Sequence, residues 1–314
     1  MKITSISCIK DDADIIETFI RVNSTFIDTF IFADDSKDET QHILEKLSEE
    51  GFNIIRFART DEKIQYSQEK SIMGMIEYAL KNGVEGDFFL ILDSDEYPKF
   101  CSKEHAVNVL TEIPPNRIGF FCWETYVPVV SDFENYKSDG LQNCFKKRLP
   151  EGAIFEKVVI PRSVAHDIDI SVGSHTASSR SGAILTKHKL SESLAHFPVR
   201  SEKQILKKNI LATYWLMRNE KRLDGEGFHV FLTLREIIES NFNIPIERLR
   251  DIAFRYANPI NDSNTELGEA PTWIEPYKLR YTINKSDYNI KNLYKLLIDS
   301  WVHPFKPEHI KGLL

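Results

Sequence analysis

Phe88-Phe89-Leu90-Ile91-Leu92-Asp93-Ser94-Asp95-Glu96-Tyr97 sets five apolar residues against a cluster of acids. The run follows Gly86-Asp87 and is too short for an ordinary buried helix, so it predicts a strand buried on both faces. Ligands of an open α/β sheet gather beyond the carboxyl ends of its strands, which aims Asp93 and Asp95 at a crevice rather than the core. Two carboxylates one residue apart can share a hard divalent cation, Mg2+ or Mn2+. Acidic pairs are also ordinary in loops and helix caps; the apolar strand in front of this pair is what favours a site.

Upstream of this strand the pattern alternates. Ile3 to Ile9 reads as a strand, and Asp11 to Val22 as an amphipathic helix carrying Ile15, Ile16, Phe19 and Ile20 on one side. Phe26 to Ala33 is a second strand, Thr40 to Glu50 a helix closed by Gly51, Phe52 to Phe57 a third strand and Tyr66 to Lys81 a third helix. This βα rhythm predicts a mostly parallel sheet with helices on both faces. The second strand ends in Asp34-Asp35-Ser36-Lys37-Asp38-Glu39-Thr40, a second acidic strand end facing the same crevice. Asp35 is placed to accept from a base N–H or a ribose hydroxyl, whereas Asp38 with Thr40 suits a helix cap.

Ile9-Lys10-Asp11-Asp12-Ala13-Asp14 contains no glycine, and no Gly-Lys-Ser or Gly-Lys-Thr phosphate loop occurs. Dinucleotide oxidoreductases and ordinary nucleotide hydrolases thereby lose their signature. The phosphates of a nucleotide would have to be held by a metal and by side chains.

After Tyr97 the alternation becomes irregular: a short helix over His105 to Leu110, strands over Gly119 to Val129, Phe155 to Ile160 and Ile168 to Val172, and a polar surface excursion from Val130 to Pro150. Leu194-Ala195-His196-Phe197-Pro198-Val199-Arg200-Ser201 then precedes a helix from Glu202 to about Asn219 that carries Lys207 and Lys208. A helix N-terminus beside an arginine suits a pyrophosphate, and the imidazole can complete a metal site begun by carboxylates. The bland alternative packs His196 in a strand and leaves Arg200 and the lysines on a solvated face. Beyond Phe228 the chain reads as helices over Leu232 to Asn241, Ile246 to Tyr256 and Ile290 to Asp299. Residues 1–220 are therefore expected to form the domain that holds the crevice, with 221–314 a helical extension packed on it.

The 314 residues, 42% hydrophobic and 28% charged, describe an ordinary globular chain. Forty basic against 47 acidic residues give a formal charge of -7, which argues against a nucleic-acid partner. Cys8, Cys101, Cys122 and Cys144 lack metal-ligand spacing and read as free thiols. The first residues resemble a strand rather than a signal peptide, and no apolar stretch is long enough for a membrane-spanning segment, so a cytoplasmic location is expected.

Taken together, these stretches resemble the family 2-like glycosyltransferases with the GT-A fold. The likeness rests on Ser5-Ile6-Ser7-Cys8-Ile9-Lys10-Asp11, on the acidic end of the second strand, on Leu92-Asp93-Ser94-Asp95-Glu96, and on His196 followed by Arg200-Ser201 and a lysine-bearing helix. It is good over residues 1–100, patchy to about 220 and absent beyond. Such enzymes transfer a sugar from a nucleotide diphosphate donor, expected here to be UDP-linked, to a saccharide or glycan-precursor acceptor. The resemblance implies that Asp35 contacts the nucleoside base and that Asp95 with Asp93 holds Mn2+ or Mg2+, His196 being a further ligand. Arg59 loosely matches a basic position near the base.

With Arg200 expected to neutralise the departing diphosphate and Lys208 to assist, an acceptor hydroxyl still needs a base. Glu124 is the expected base, ahead of Asp132 and Asp167, although it is equally suited to pair with Lys146 or Arg148. Two rival readings follow from the same acids: a metal-dependent nucleotidyltransferase or phosphohydrolase, and a non-catalytic sugar- or partner-binding module.

Overall fold

The structure is a computed structural model that describes residues 1–58, 68–130, 140–151, 155–218, 228–241, 243–257, 265–275 and 277–282. Strands β1 (Ile3–Ile9), β2 (Thr29–Asp34), β3 (Ile54–Phe57) and β4 (Phe88–Ile91) pair in parallel in the order β3-β2-β1-β4. Side chains alternate across a strand, and the apolar ones divide accordingly. Ile3, Phe30, Phe32, Leu90 and Leu92 meet Ile16, Phe19 and Ile20 of α1 (Ile16–Asn23) and Ile43, Leu44 and Leu47 of α2 (Thr40–Glu49). Ile6, Ile31, Phe89 and Ile91 face the other way, against Ile72, Met75 and Ile76 of α3 (Gln68–Lys81). Both faces of the parallel half are thus covered by helices, as the βα rhythm requires.

Beyond β4 the α/β sheet becomes mixed. The connection there runs through β5 (Glu96–Pro98) and α4 (Lys103–Leu110) to the long β6 (Arg117–Pro128), then α5 (Leu141–Cys144), β7 (Phe145–Leu149) and β8 (Glu156–Pro161). β8 inserts antiparallel between β4 and β6, and β7 pairs antiparallel with the far side of β6. The excursion expected over Val130 to Pro150 therefore contains a sheet strand, and its residues 131–139, with Asp132, lie outside the described residues. The two-stranded β9 (Ile168–Ile170) and β10 (Ala177–Ser179) stand apart, while β11 (Thr186–Lys189) and β12 (Leu194–His196) run parallel to β6.

The first helix starts at Ile16, not at Asp11. Asp11 adopts a left-handed φ of 57°, and its carboxylate accepts the Lys37 and Asp38 amides at 2.6 and 3.1 Å. Residues 10–14 are thereby a loop pinned to the loop after β2. The second strand likewise begins at Thr29, because the Phe26 and Ile27 amides turn back to the Asn23 carbonyl.

Helices α6 (Glu202–Arg218), α7 (Phe228–Glu239) and α8 (Ile246–Arg255) share an apolar core with Val127 and Val199, so α7 and α8 pack directly on the sheet unit. β13 (Glu266–Leu267) extends the sheet edge beside β7. Residues 280–282 then reach α1, where the fully buried Glu17 carboxylate accepts the amides of Arg280, Tyr281 and Thr282 at 2.8–2.9 Å and the Thr282 hydroxyl at 2.7 Å. Burial alone would raise the Glu17 pKa, but these donors outweigh it and hold the group below its ordinary value. The helix expected over Ile290 to Asp299 lies outside the described residues. Among the described residues, no helix is long and apolar enough to cross a membrane.

Candidate functional site

The strand order places β2 and β4 on opposite sides of β1, which opens a crevice at the carboxyl ends of β1 and β4. A cavity of about 340 Å³ occupies it. Asp12 and Asp14 enter from the loop after β1, Asp93 and Asp95 from the turn after β4, and Lys207 and Lys208 from α6. His196 and Arg200 also line it, as the adjoining histidine and arginine of one stretch suggested.

Arg200 is buried at the centre of this network. Its Nε and Nη2 donate to the two oxygens of Asp14 at 2.7 and 3.0 Å, and its Nη1 donates to Asp95 Oδ2 at 3.2 Å and to the Phe197 carbonyl at 3.1 Å. Lys208 Nζ reaches the same Asp95 oxygen at 3.1 Å. Burial would raise the Asp95 pKa, but the charges of Lys208 and Arg200 hold it well below the usual carboxylate range. Lys207 Nζ is anchored on Asp38 at 2.7 Å and on the Asp11 carbonyl at 2.9 Å, while Asp38 also accepts the Thr40 amide at the start of α2.

The neighbouring Asp93 belongs to a second cluster. Lys157, on β8, lies 2.5 Å from Asp93 Oδ2 and 3.1 Å from Glu96 Oε1. Gln68 donates to the other Asp93 oxygen at 3.2 Å. Desolvation opposes the charge on Lys157, yet Asp93 and Glu96 more than restore it and raise its pKa.

His196 ends β12 with its ring 4.2 Å from that of Trp123, and Nε2 is 3.6 Å from Asp95 Oδ1. Burial lowers its pKa to about 3, so the ring is neutral at physiological pH. Tyr256 closes the cavity beside it and is fixed from behind by Arg148. That fully buried guanidinium donates to the carbonyls of Ala253, Phe254 and Tyr256 at 3.2, 3.0 and 2.8 Å, which caps the C-terminal end of α8. Glu151 pairs with Arg148 and also accepts the Thr125 amide, tying this end of α8 to β6.

Several expected roles change. Glu124 does not line the cavity: it pairs with Lys99 at 2.8 Å and Lys147 at 2.9 Å, and these lysines overcome its burial and lower its pKa. A carboxylate so clamped is a poor base. Asp167 is also spent, accepting from Ser179 and Ser181 away from the cavity. Asp35 lies outside the lining, 3.4 Å from Lys10, which does line it. Arg59 lies outside the described residues. Arg200, expected to meet the departing diphosphate, donates to Asp14 and Asp95.

The residues expected to hold Mn2+ or Mg2+ do not fit an ion in this arrangement. Among the described residues no three His, Cys, Asp or Glu side chains converge as a ligand set. Asp95 Oδ2 already receives a guanidinium and an ammonium, and Asp93 an ammonium and an amide. Sequence reasoning missed Asp12, Asp14, Lys157, Trp123 and Tyr256. Of these only Asp12 and Asp14 carried a signal, as acids following a strand.

No family model matches the chain, and no curated protein matches it. Among solved structures, S. aureus TarS 1-349 is similar at 13% identity and a TM-score of 0.39, over 77% of this chain and 74% of that one. A mycobacterial protein is similar at 11% identity and a TM-score of 0.34, over 66% and 73%. Mannose-1-phosphate geranyltransferase from Thermus thermophilus is similar at 8% identity and a TM-score of 0.29, over 62% and 73%. Overlap this loose assigns no activity, and the functional reading stands on the cavity itself.

Proposed function

We propose that the chain is a glycosyltransferase that moves a sugar from a nucleotide diphosphate sugar, with UDP-linked donors first among candidates, to a hydroxyl of a saccharide or glycan-precursor acceptor. The observation that carries this reading is one cavity at the switch point of the sheet, with carboxylates on the strand side and lysines of α6 opposite. Without a glycine-rich phosphate loop, side-chain cations must meet the diphosphate.

In the transfer, the acceptor oxygen bonds to the anomeric carbon while the bond from that carbon to the diphosphate oxygen breaks. The electron pair leaves on the diphosphate, where Lys208 and Lys207 offset the growing charge. The hydroxyl proton passes to Asp12, which lines the cavity. Burial raises the Asp12 pKa to about 7, against the lowering effect of Arg200 and with reinforcement from Asp14 and Asp95. Trp123 offers an apolar ring face to a sugar. Arg200 keeps Asp14 and Asp95 in place throughout.

Incubation with a panel of nucleotide sugars, nucleoside triphosphates and phosphate esters, read by mass spectrometry, tests the proposal. Slow release of free sugar and nucleoside diphosphate is expected from at least one nucleotide sugar. Turnover of only triphosphates or esters would move the assignment to a nucleotidyltransferase or phosphohydrolase. No turnover by folded protein would leave a binding module.

A further inference from the structure

The acids of this cavity already have cations of their own. Lys157 is 1% exposed and bridges Asp93 to Glu96, a carboxylate that is 0% exposed. It cannot swing away without leaving Glu96 buried beside Asp93 with no cation, an arrangement that strongly destabilises a fold. Its backbone is held opposite Phe121 of β6, and the same strand pairs with β4 from Val159 onward. On Asp95, the Arg200 guanidinium and the Lys208 ammonium share Oδ2.

We propose that the site binds its nucleotide diphosphate without a divalent ion, the ammonium of Lys157 neutralising Asp93 from behind the cavity and that of Lys208 neutralising Asp95 from the cavity side. This rests on the reading of the cavity as a nucleotide-diphosphate site. Three cations, Lys157, Arg200 and Lys208, already pair with Asp14, Asp93 and Asp95. A divalent ion placed on Asp93 and Asp95 would meet those three cations at close range. The two lysines divide the task. Lys157 holds the acids together from within, and Lys208, with a side chain 40% exposed, carries ammonium donors to the cavity.

Two titrations of the wild-type protein decide the matter. Mn2+ added to protein alone, followed by electron paramagnetic resonance, should keep the full signal of the hydrated ion. Uridine diphosphate measured by calorimetry should bind equally, to within about twofold, in chelator and in Mn2+. Stoichiometric loss of the Mn2+ signal, or a tenfold or greater weakening of nucleotide binding in chelator, overturns the proposal while leaving the glycosyltransferase reading intact. Absence of nucleotide binding under every condition overturns both. Lys157→Met provides the converse: with the ammonium gone, Asp93 and Glu96 should acquire Mn2+. If this variant does not fold, the wild-type titrations still decide.

Discussion

The Arg200 guanidinium and the Asp95 carboxylate, 105 residues apart in sequence, meet at 3.2 Å inside the cavity wall. The same guanidinium grips Asp14 with two further bonds, so one side chain from the second half of the chain locks the loops after β1 and β4 together. Its removal should be felt first as instability. Arg200→Ala leaves two buried acids without their partner and should lower unfolding free energy by about 3–5 kcal/mol. Arg200→Lys keeps the charge without the paired bonds and should fall between that variant and wild type. Urea unfolding checks both.

Lys208 should act on affinity more than on folding. Lys208→Met is expected to weaken uridine diphosphate binding by roughly tenfold, about 1.4 kcal/mol, as read by calorimetry. Raising the salt concentration should weaken the wild type more than the variant, because the interaction removed is between charges.

Asp12 should set the pH dependence of transfer. A base works ionised, so the rate should rise with pH through about 7 and level off above it. Asp12→Asn should lower the rate by roughly 10²–10⁴-fold with nucleotide affinity retained. Glu124→Gln, outside the cavity, should leave the rate within about twofold of wild type. Steady-state kinetics of the two variants across pH 5–9 separates these outcomes.

Glu17 predicts an acid limb in stability. Its folded pKa is depressed, so its contribution is fully present above the unfolded value near 4.5 and is lost as pH falls through the lower folded value. Glu17→Gln should reduce stability by roughly 1–3 kcal/mol at neutral pH. The variant should also lose less than wild type between pH 5 and pH 2. Thermal unfolding over that range tests the sign.

The parallel half and the carboxylates at its edge were legible because each depends on a contiguous string: an apolar run, then acids. His196 and Arg200 were legible for the same reason, being four residues apart before a helix. Lys157 was not, because its position depends on β8 entering antiparallel beside β4, and Glu156-Lys157 alone reads as an ordinary polar pair at a strand start. Phe145-Lys146-Lys147-Arg148-Leu149 shows the same limit: three successive cations suggest solvent, yet Arg148 turns inward to cap α8. The clamp on Glu124 was equally hidden, because its two lysines come from β7 and from the segment after β5.

The clasp between Glu17 and residues 280–282 bears on the order of assembly. A chain made from its amino end releases β1 to β4 and all their helices long before Thr282 leaves the ribosome. Until then the pocket beside α1 holds an acid without its backbone amides, with Arg21 of the same helix as its partner, and the nascent sheet has a soft corner there. The last partner to arrive seals that corner, so a released chain truncated before residue 280 should be a better substrate for proteases than one truncated after residue 282.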